Sequence, residues 1–225
     1  MGETYLRYSF TKGTRQEIDQ IVDWLGLVPG MKVLDVGCGP GRHSHELAAR
    51  GIQSHGVDIS QTFIDVANEQ APDGATFERA DARALQFDAE FDAAICLCQG
   101  AFGLMTANGH DHLVLRGIQR ALKPGGMLAL SAFNAYFAVK YHENAIFDAD
   151  TGVSREETSV KNAAGASLGA ELWTGCYTPR ELRLMLNAEG FTVRDIFSVD
   201  PGGYEERPPT LESSEYLVIA SISPS

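Results

Sequence analysis

The 225-residue sequence has no run of lysine and arginine, no apolar run close to the length of a membrane span, and no internal repeat or low-complexity tract. Lys and Arg total 18 against 30 Asp and Glu, a net charge of −12. Phosphate recognition draws on basic side chains, so nucleic acid is not expected as a main partner. Anionic membrane surfaces are disfavoured for the same reason. A membrane helix needs about 20 apolar residues, and no stretch supplies them. Cysteines are few, Cys38, Cys96, Cys98 and Cys176, and their spacing matches neither a zinc site nor a disulfide framework. They read as thiols in a reducing compartment. The first residues, Met1 to Tyr8, show no apolar core of a signal peptide, so a cytoplasmic protein is expected.

What is present is an α/β pattern around one stretch. Val33-Leu34-Asp35-Val36 reads as a buried strand, and Gly37-Cys38-Gly39-Pro40-Gly41 follows as a tight turn. A helix carrying Leu47, Ala48 and Ala49 begins behind it. Glycines permit positive φ and let backbone approach a ligand. The helix start offers free N–H groups to an electron-rich ligand. A second strand ends on Asp58, about 20 residues after the first glycine, the spacing of a carboxylate that holds a ribose diol.

The rest of the chain alternates in kind. Thr14 to Glu17 matches a capping box, and Ile18, Ile21, Val22 and Leu25 follow at helical spacing. Ser60 caps a helix with Phe63, Ile64 and Ala67 inward. Strands are expected at 75–80, 91–98 and 127–133, with a helix from Asn108 or Gly109 to Leu122 and a stop at Lys123-Pro124-Gly125-Gly126. Residues 134–177 are aromatic and polar and too long for a plain connection, so extended strands or an extra helix are expected there. A second capping box at Thr178–Glu181 opens the last helix, and strands at 191–199 and 216–222 close the chain.

Asp35 inside its strand, Gly-Cys-Gly-Pro-Gly-Arg, Asp58, and Leu-Lys-Pro-Gly-Gly before an apolar strand together resemble the class I S-adenosylmethionine (SAM)-dependent methyltransferases, over roughly residues 14 to 222. The resemblance implies one doubly wound Rossmann-like domain over 1–225. Its seven-stranded sheet would be mostly parallel with an antiparallel last strand and helices on both faces. Residues 1–28 would be an N-terminal helix and lid, and about 134–177 a substrate-side insert. It implies SAM as methyl donor and a small-molecule acceptor methylated on O, N or C. Cofactor contacts would come from Tyr8 in the lid, Asp35, Gly37, Cys38 and Gly39 at the turn, Asp58 and Ile59 at the ribose and adenine, Asp81 and Ala82 at the adenine edge, and Cys98.

Methyl transfer is an in-line displacement, so alignment and exclusion of water matter more than a covalent nucleophile. A base is needed only where the acceptor must lose a proton. His142 and Tyr141 are the candidates, with Gln99, Phe102, Tyr136 and Trp173 lining the acceptor. No metal is expected. His110-Asp111-His112 points in divergent directions at a helix start and reads as solvated surface. The place after the fourth strand reads Leu97-Cys98-Gln99-Gly100, without the Pro-Pro-aromatic motif of nucleic-acid amino methyltransferases. Two alternatives share part of this pattern. One is a SAM-binding regulatory or partner-stabilising protein without methyl transfer. The other is an NAD(P)-dependent oxidoreductase, against which the glycine spacing weighs.

Overall fold

The computed structural model describes residues 13–104, 110–141, 145–161 and 167–224. In order the elements are α1 (Thr14–Leu25), β1 (Lys32–Val36), α2 (Arg42–Ala48), β2 (Gln53–Asp58), α3 (Gln61–Glu69), β3 (Ala75–Arg79), a 3₁₀ turn (Ala82–Ala84), β4 (Phe91–Cys96) and α4 (Asp111–Ala121). They continue with β5 (Leu122–Asn134), α5 (Ala135–Tyr141), β6 (Ala145–Asp148), β7 (Val153–Lys161), β8 (Ser167–Tyr177), α6 (Pro179–Ala188), β9 (Phe191–Val199) and β10 (Glu215–Ile222).

The sheet has ten strands, not seven. The seven expected strands are all there, in the order β3-β2-β1-β4-β5-β10-β9. The pairs β1–β2, β1–β4, β2–β3 and β4–β5 are parallel, and β10 runs antiparallel to both β5 and β9. The three additional strands come from the insert. β6, β7 and β8 form an antiparallel meander joined to the main sheet by two pairs, Phe133 with Cys176 and Asn134 with Tyr177. The insert therefore holds both a helix, α5, and strands.

Two apolar layers hold the helices on the sheet. Ile18, Ile21 and Leu25 of α1 and Leu47 of α2 pack with Val33, Ile95, Leu217 and Ile219 on one face. Val114, Leu115 and Ile118 of α4 and Leu182 and Leu186 of α6 pack with Leu34, Leu128, Leu130 and Val218 on the other. Helices at i, i+3, i+4 spacing bury one stripe, and parallel strands covered on both sides are apolar on both.

Three local expectations need correction. The Lys-Pro-Gly-Gly stop lies within β5: Leu122 already pairs with Phe91, the register then shifts, and pairing resumes at Met127 with Ala93. Gly125, at φ +79°, makes the detour possible. The capping box at α1 does not form. Thr14 is itself helical behind Gly13, and Glu17 turns into the protein. The box at Thr178–Glu181 forms in full. The expected start of α4 at Asn108 or Gly109 lies outside the described residues, and the described helix begins at Asp111.

Candidate cofactor and active site

The turn after β1 sits at the carboxyl ends of the parallel strands, where open α/β sheets bind ligands. Its glycines play different parts. A Cβ on Gly37 would stand 2.3 Å from the Gly100 carbonyl carbon, so this glycine lets the turn touch the loop after β4. Gly41 lies against the Phe77 ring in the same way. Gly39, at φ +54°, has nothing among the described residues within 4 Å of its would-be Cβ. That open cradle is where a ligand can meet bare backbone.

Asp58 at the end of β2 holds the turn. It accepts the Gly39 N–H at 2.9 Å and the Ser60 N–H at 2.8 Å. Each carboxylate oxygen keeps a lone pair for a further donor. A cleft of about 250 Å³ opens beside it, lined by Gly37, Asp58, Ile59, Asp81, Ala82 and Gly100. Ile59 is an exposed apolar side chain at the rim. Asp81 caps the 3₁₀ turn and takes a forked ion pair from Arg83, which holds its carboxyl below the usual range.

The far wall escaped the sequence reading. Leu104, His110, Asp111 and Val114 close the cleft from the α4 side, and Arg83 and Ala101 complete it. Asp111 accepts the Gly103 N–H at 3.2 Å, and burial pushes its carboxyl up to about 6. His110 and Asp111, expected as solvated surface, instead line the cleft together with Val114, three residues on from Asp111 along α4.

Other expected site residues fall elsewhere. Asp35 is buried behind the turn and accepts from Ser44 Oγ at 2.8 Å. Burial raises its carboxyl, so it orders the turn from below rather than facing the cleft. Cys38 is buried too. Its sulfur points at Gly56, 2.8 Å from where a Cβ would be. Phe102 is fully buried and stacks on Tyr177 at 5.0 Å. Tyr141 is exposed, and its hydroxyl donates to Glu212, away from the cleft. Tyr136 is exposed on α5. Trp173 lies under the Arg155 guanidinium at 5.4 Å, beside a hollow of about 390 Å³ on the insert. Tyr8 and His142 lie outside the described residues.

On the α1 side of the turn is a buried polar cluster. Glu17, with no exposed side chain, accepts from Arg42 Nη1 at 2.6 Å, lies 2.9 Å from His43 Nε2 and accepts the Gly202 N–H at 2.8 Å. Burial alone would raise its carboxyl. The His43 hydrogen bond and the His43 and Arg42 charges outweigh that and hold it down at about 2. Arg42 Nη2 also reaches Cys98 Sγ at 2.7 Å. Glu17, His43 and Cys98 are close enough together to invite a metal. Arg42 donates to two of the three, and its guanidinium stands where a metal would place its charge. Burial keeps the Cys98 thiol neutral, at about 12. Cys98 and Gln99 both take left-handed backbone angles, φ 52° and 50°, a strain of about 1–3 kcal/mol each that collects at functional loops.

Comparison with known proteins agrees with this geometry. A family model described as a methyltransferase domain matches residues 33–126. The cypemycin N-terminal methyltransferase of a Streptomyces species is 30% identical over 207 residues, 84% of this chain and 82% of the relative. The chain belongs to the class I SAM-dependent methyltransferases. The demethylmenaquinone methyltransferase of Renibacterium salmoninarum is 36% identical over 122 residues, 54% of this chain, and the match spans about half of that relative, 49%. In fold, the CcbJ methyltransferase of Streptomyces caelestis superposes with a TM-score of 0.75 at 18% identity, covering 93% of this chain and 89% of that one. Family membership makes SAM the cofactor. The bare Gly39 backbone and the Asp58 carboxylate beside an apolar-rimmed cleft suit the adenosyl group.

Proposed function

We propose that this protein transfers a methyl group from SAM to a small-molecule acceptor. The observation that carries the reading is the Asp58 carboxylate, which lines the cleft and accepts the Gly39 N–H of the glycine turn. When bound, SAM supplies a methyl on a sulfonium, displaced in line with the C–S electron pair staying on sulfur. Asp58 accepts ribose hydroxyls with its remaining lone pairs, and Ile59 covers the adenine face. Asp81, its orientation set by Arg83, and Ala82 close the adenine edge. The Gly37–Gly100 contact fixes the turn against the loop after β4, so donor and acceptor halves of the site keep one spacing. Alignment of this kind contributes about 7–11 kcal/mol to a displacement. Asp35 and Cys38 support the turn from inside. Tyr8, as a lid contact to the cofactor, and His142, as a base candidate, stay proposals that fall outside the described residues.

The net charge of −12 supports a small molecule over nucleic acid as acceptor. Among the described residues no helix is long and apolar enough to cross a membrane. The four free thiols support a reducing, cytoplasmic location. The test uses methyl-labelled SAM and an extract of small metabolites. Label moving to a low-mass product in the wild type, and lost in Asp58→Ala, supports the reading. Tight SAM binding with no label transferred to any acceptor favours a regulatory SAM-binding protein instead.

A further inference from the structure

Two buried polar atoms near the loop after β4, Tyr204 Oη and Glu215 Oε2, have no hydrogen-bond partner among the described residues, and the Gln99 amide beside them is turned to the Glu215 carboxyl. The three side chains belong to residues that are nearly inaccessible, 5%, 1% and 6% exposed. Orphaned groups of this kind cost about 1–3 kcal/mol each and call for an explanation. They come from separate parts of the chain but meet in one place. Gln99 ends the β4 loop one residue before Gly100, which lines the cleft. Its N–H is fixed by Ser131 Oγ on β5 at 3.2 Å, and its amide lies beside the Glu215 carboxyl. Glu215 opens β10 opposite Phe133, at the carboxyl end of β5. Tyr204 is held by Gln16, whose side chain accepts from its N–H and donates to its C=O.

The place of this group in the sheet gives it a side. The adenosyl contacts lie over β1, β2 and β3. Gln99 follows β4 and Glu215 opens β10 beside the carboxyl end of β5, on the side of the sheet away from β2 and β3, and Tyr204 comes in from the loop after β9. The group's chemistry is selective. Gln99 Nε2 donates, Tyr204 Oη does either, and Glu215 Oε2 accepts when ionised. The charged and titratable groups around Glu215 are Glu17 on α1, Arg42 on α2, Cys98 after β4, Asp200 after β9 and Tyr204. Arg42 is the cation of that set, and Glu17 already engages it at 2.6 Å. A cationic end would therefore be drawn to Glu215.

We propose that Gln99, Tyr204 and Glu215 form the acceptor's polar subsite, that the acceptor is an amine, and that Glu215 takes its proton. This rests on the methyltransferase reading above. The ammonium proton passes to the Glu215 carboxylate and leaves a lone pair on nitrogen. That pair forms the N–CH₃ bond as the S–CH₃ bond breaks and its electrons stay on sulfur. Burial holds the Glu215 carboxyl up at about 7, suited to exchanging a proton near neutrality.

The test uses the full chain loaded with S-adenosylhomocysteine. Matched probes, benzylamine with benzyl alcohol and cyclohexylamine with cyclohexanol, are titrated by calorimetry into wild type, Glu215→Gln and Tyr204→Phe. Equal S-adenosylhomocysteine affinity in all three shows that they are folded and that the cofactor reading stands. The proposal expects the amines to bind at least about tenfold tighter than their alcohol twins. It expects Glu215→Gln to erase that preference, and Tyr204→Phe to weaken amine binding while keeping it. It also expects amine affinity in wild type to rise with pH through about 7, a dependence absent in Glu215→Gln. Alcohols binding as well as amines, a preference that survives Glu215→Gln, or no probe binding to a loaded protein overturns the proposal. Failure of the wild type to bind S-adenosylhomocysteine overturns the methyltransferase reading and this proposal with it.

Discussion

Arg42 donates to Glu17 at 2.6 Å, and neither side chain is more than 9% exposed. The pair ties the first turn of α2, directly behind the glycine turn, to α1. Removing one partner of a buried pair leaves an uncompensated charge and costs about 3–5 kcal/mol. Arg42→Ala and Glu17→Ala are therefore expected to lower stability by that amount in urea unfolding at neutral pH. An effect under 1 kcal/mol would show that α1 does not need this link.

The same pair sets an acid limit. Glu17 falls from 4.5 unfolded to about 2 folded, which at 1.36 kcal/mol per pH unit is about 3 kcal/mol. Its contribution is present above pH 4.5 and is lost as pH falls through about 2. Glu215 has the opposite sign. Its carboxyl rises from 4.5 to about 7, so stability is highest below 4.5 and falls by about 3 kcal/mol as pH rises to about 7. Glu215→Gln is expected to flatten that limb and to be more stable than wild type at pH 8. Unfolding curves across pH 4 to 8 for both proteins check it.

Two glycine substitutions separate folding from binding. Gly37→Ala places a methyl on Gly100 backbone and should unfold or loosen the site. Gly39→Ala meets nothing among the described residues, and its left-handed φ costs about 1–2 kcal/mol. It is expected to fold and to lose cofactor affinity, because its methyl fills the ligand cradle. Unchanged affinity in folded Gly39→Ala would move the cofactor off this turn.

Asp58 carries the ribose assignment. A hydrogen bond to a charged group is worth about 1.5–3 kcal/mol. Asp58→Ala is therefore expected to weaken S-adenosylhomocysteine about 10- to 100-fold, measured by calorimetry. Part of the loss would come from the Gly39 N–H, which Asp58 fixes at 2.9 Å.

The near side of this site was legible because it is local. The β1 run, the glycines and Asp58 lie within about 25 residues of one another, and period and spacing carry them. The far side was not, because tertiary folding assembles it. Asp111 and Val114 face the cleft only once α4 has packed. Glu215 reaches Gln99 only once β10 has inserted beside β5. Glu17 shows a local rule losing to a tertiary one: its carboxylate satisfies Arg42, His43 and Gly202 rather than the start of its own helix. The insert's length pointed to extra structure, and its pairing with β5 through two residues at Phe133 and Asn134 had no sequence signal.

The most direct test of the central claim is thermal stabilisation by SAM, S-adenosylhomocysteine and NAD⁺, measured side by side on wild type and Asp58→Ala. A ligand at 100 times its Kd adds about 2.7 kcal/mol, readily seen as a Tm shift. The account predicts a shift with SAM and with S-adenosylhomocysteine, none with NAD⁺, and a much smaller one in Asp58→Ala. A shift with NAD⁺ alone, or an equal shift in Asp58→Ala, would contradict it.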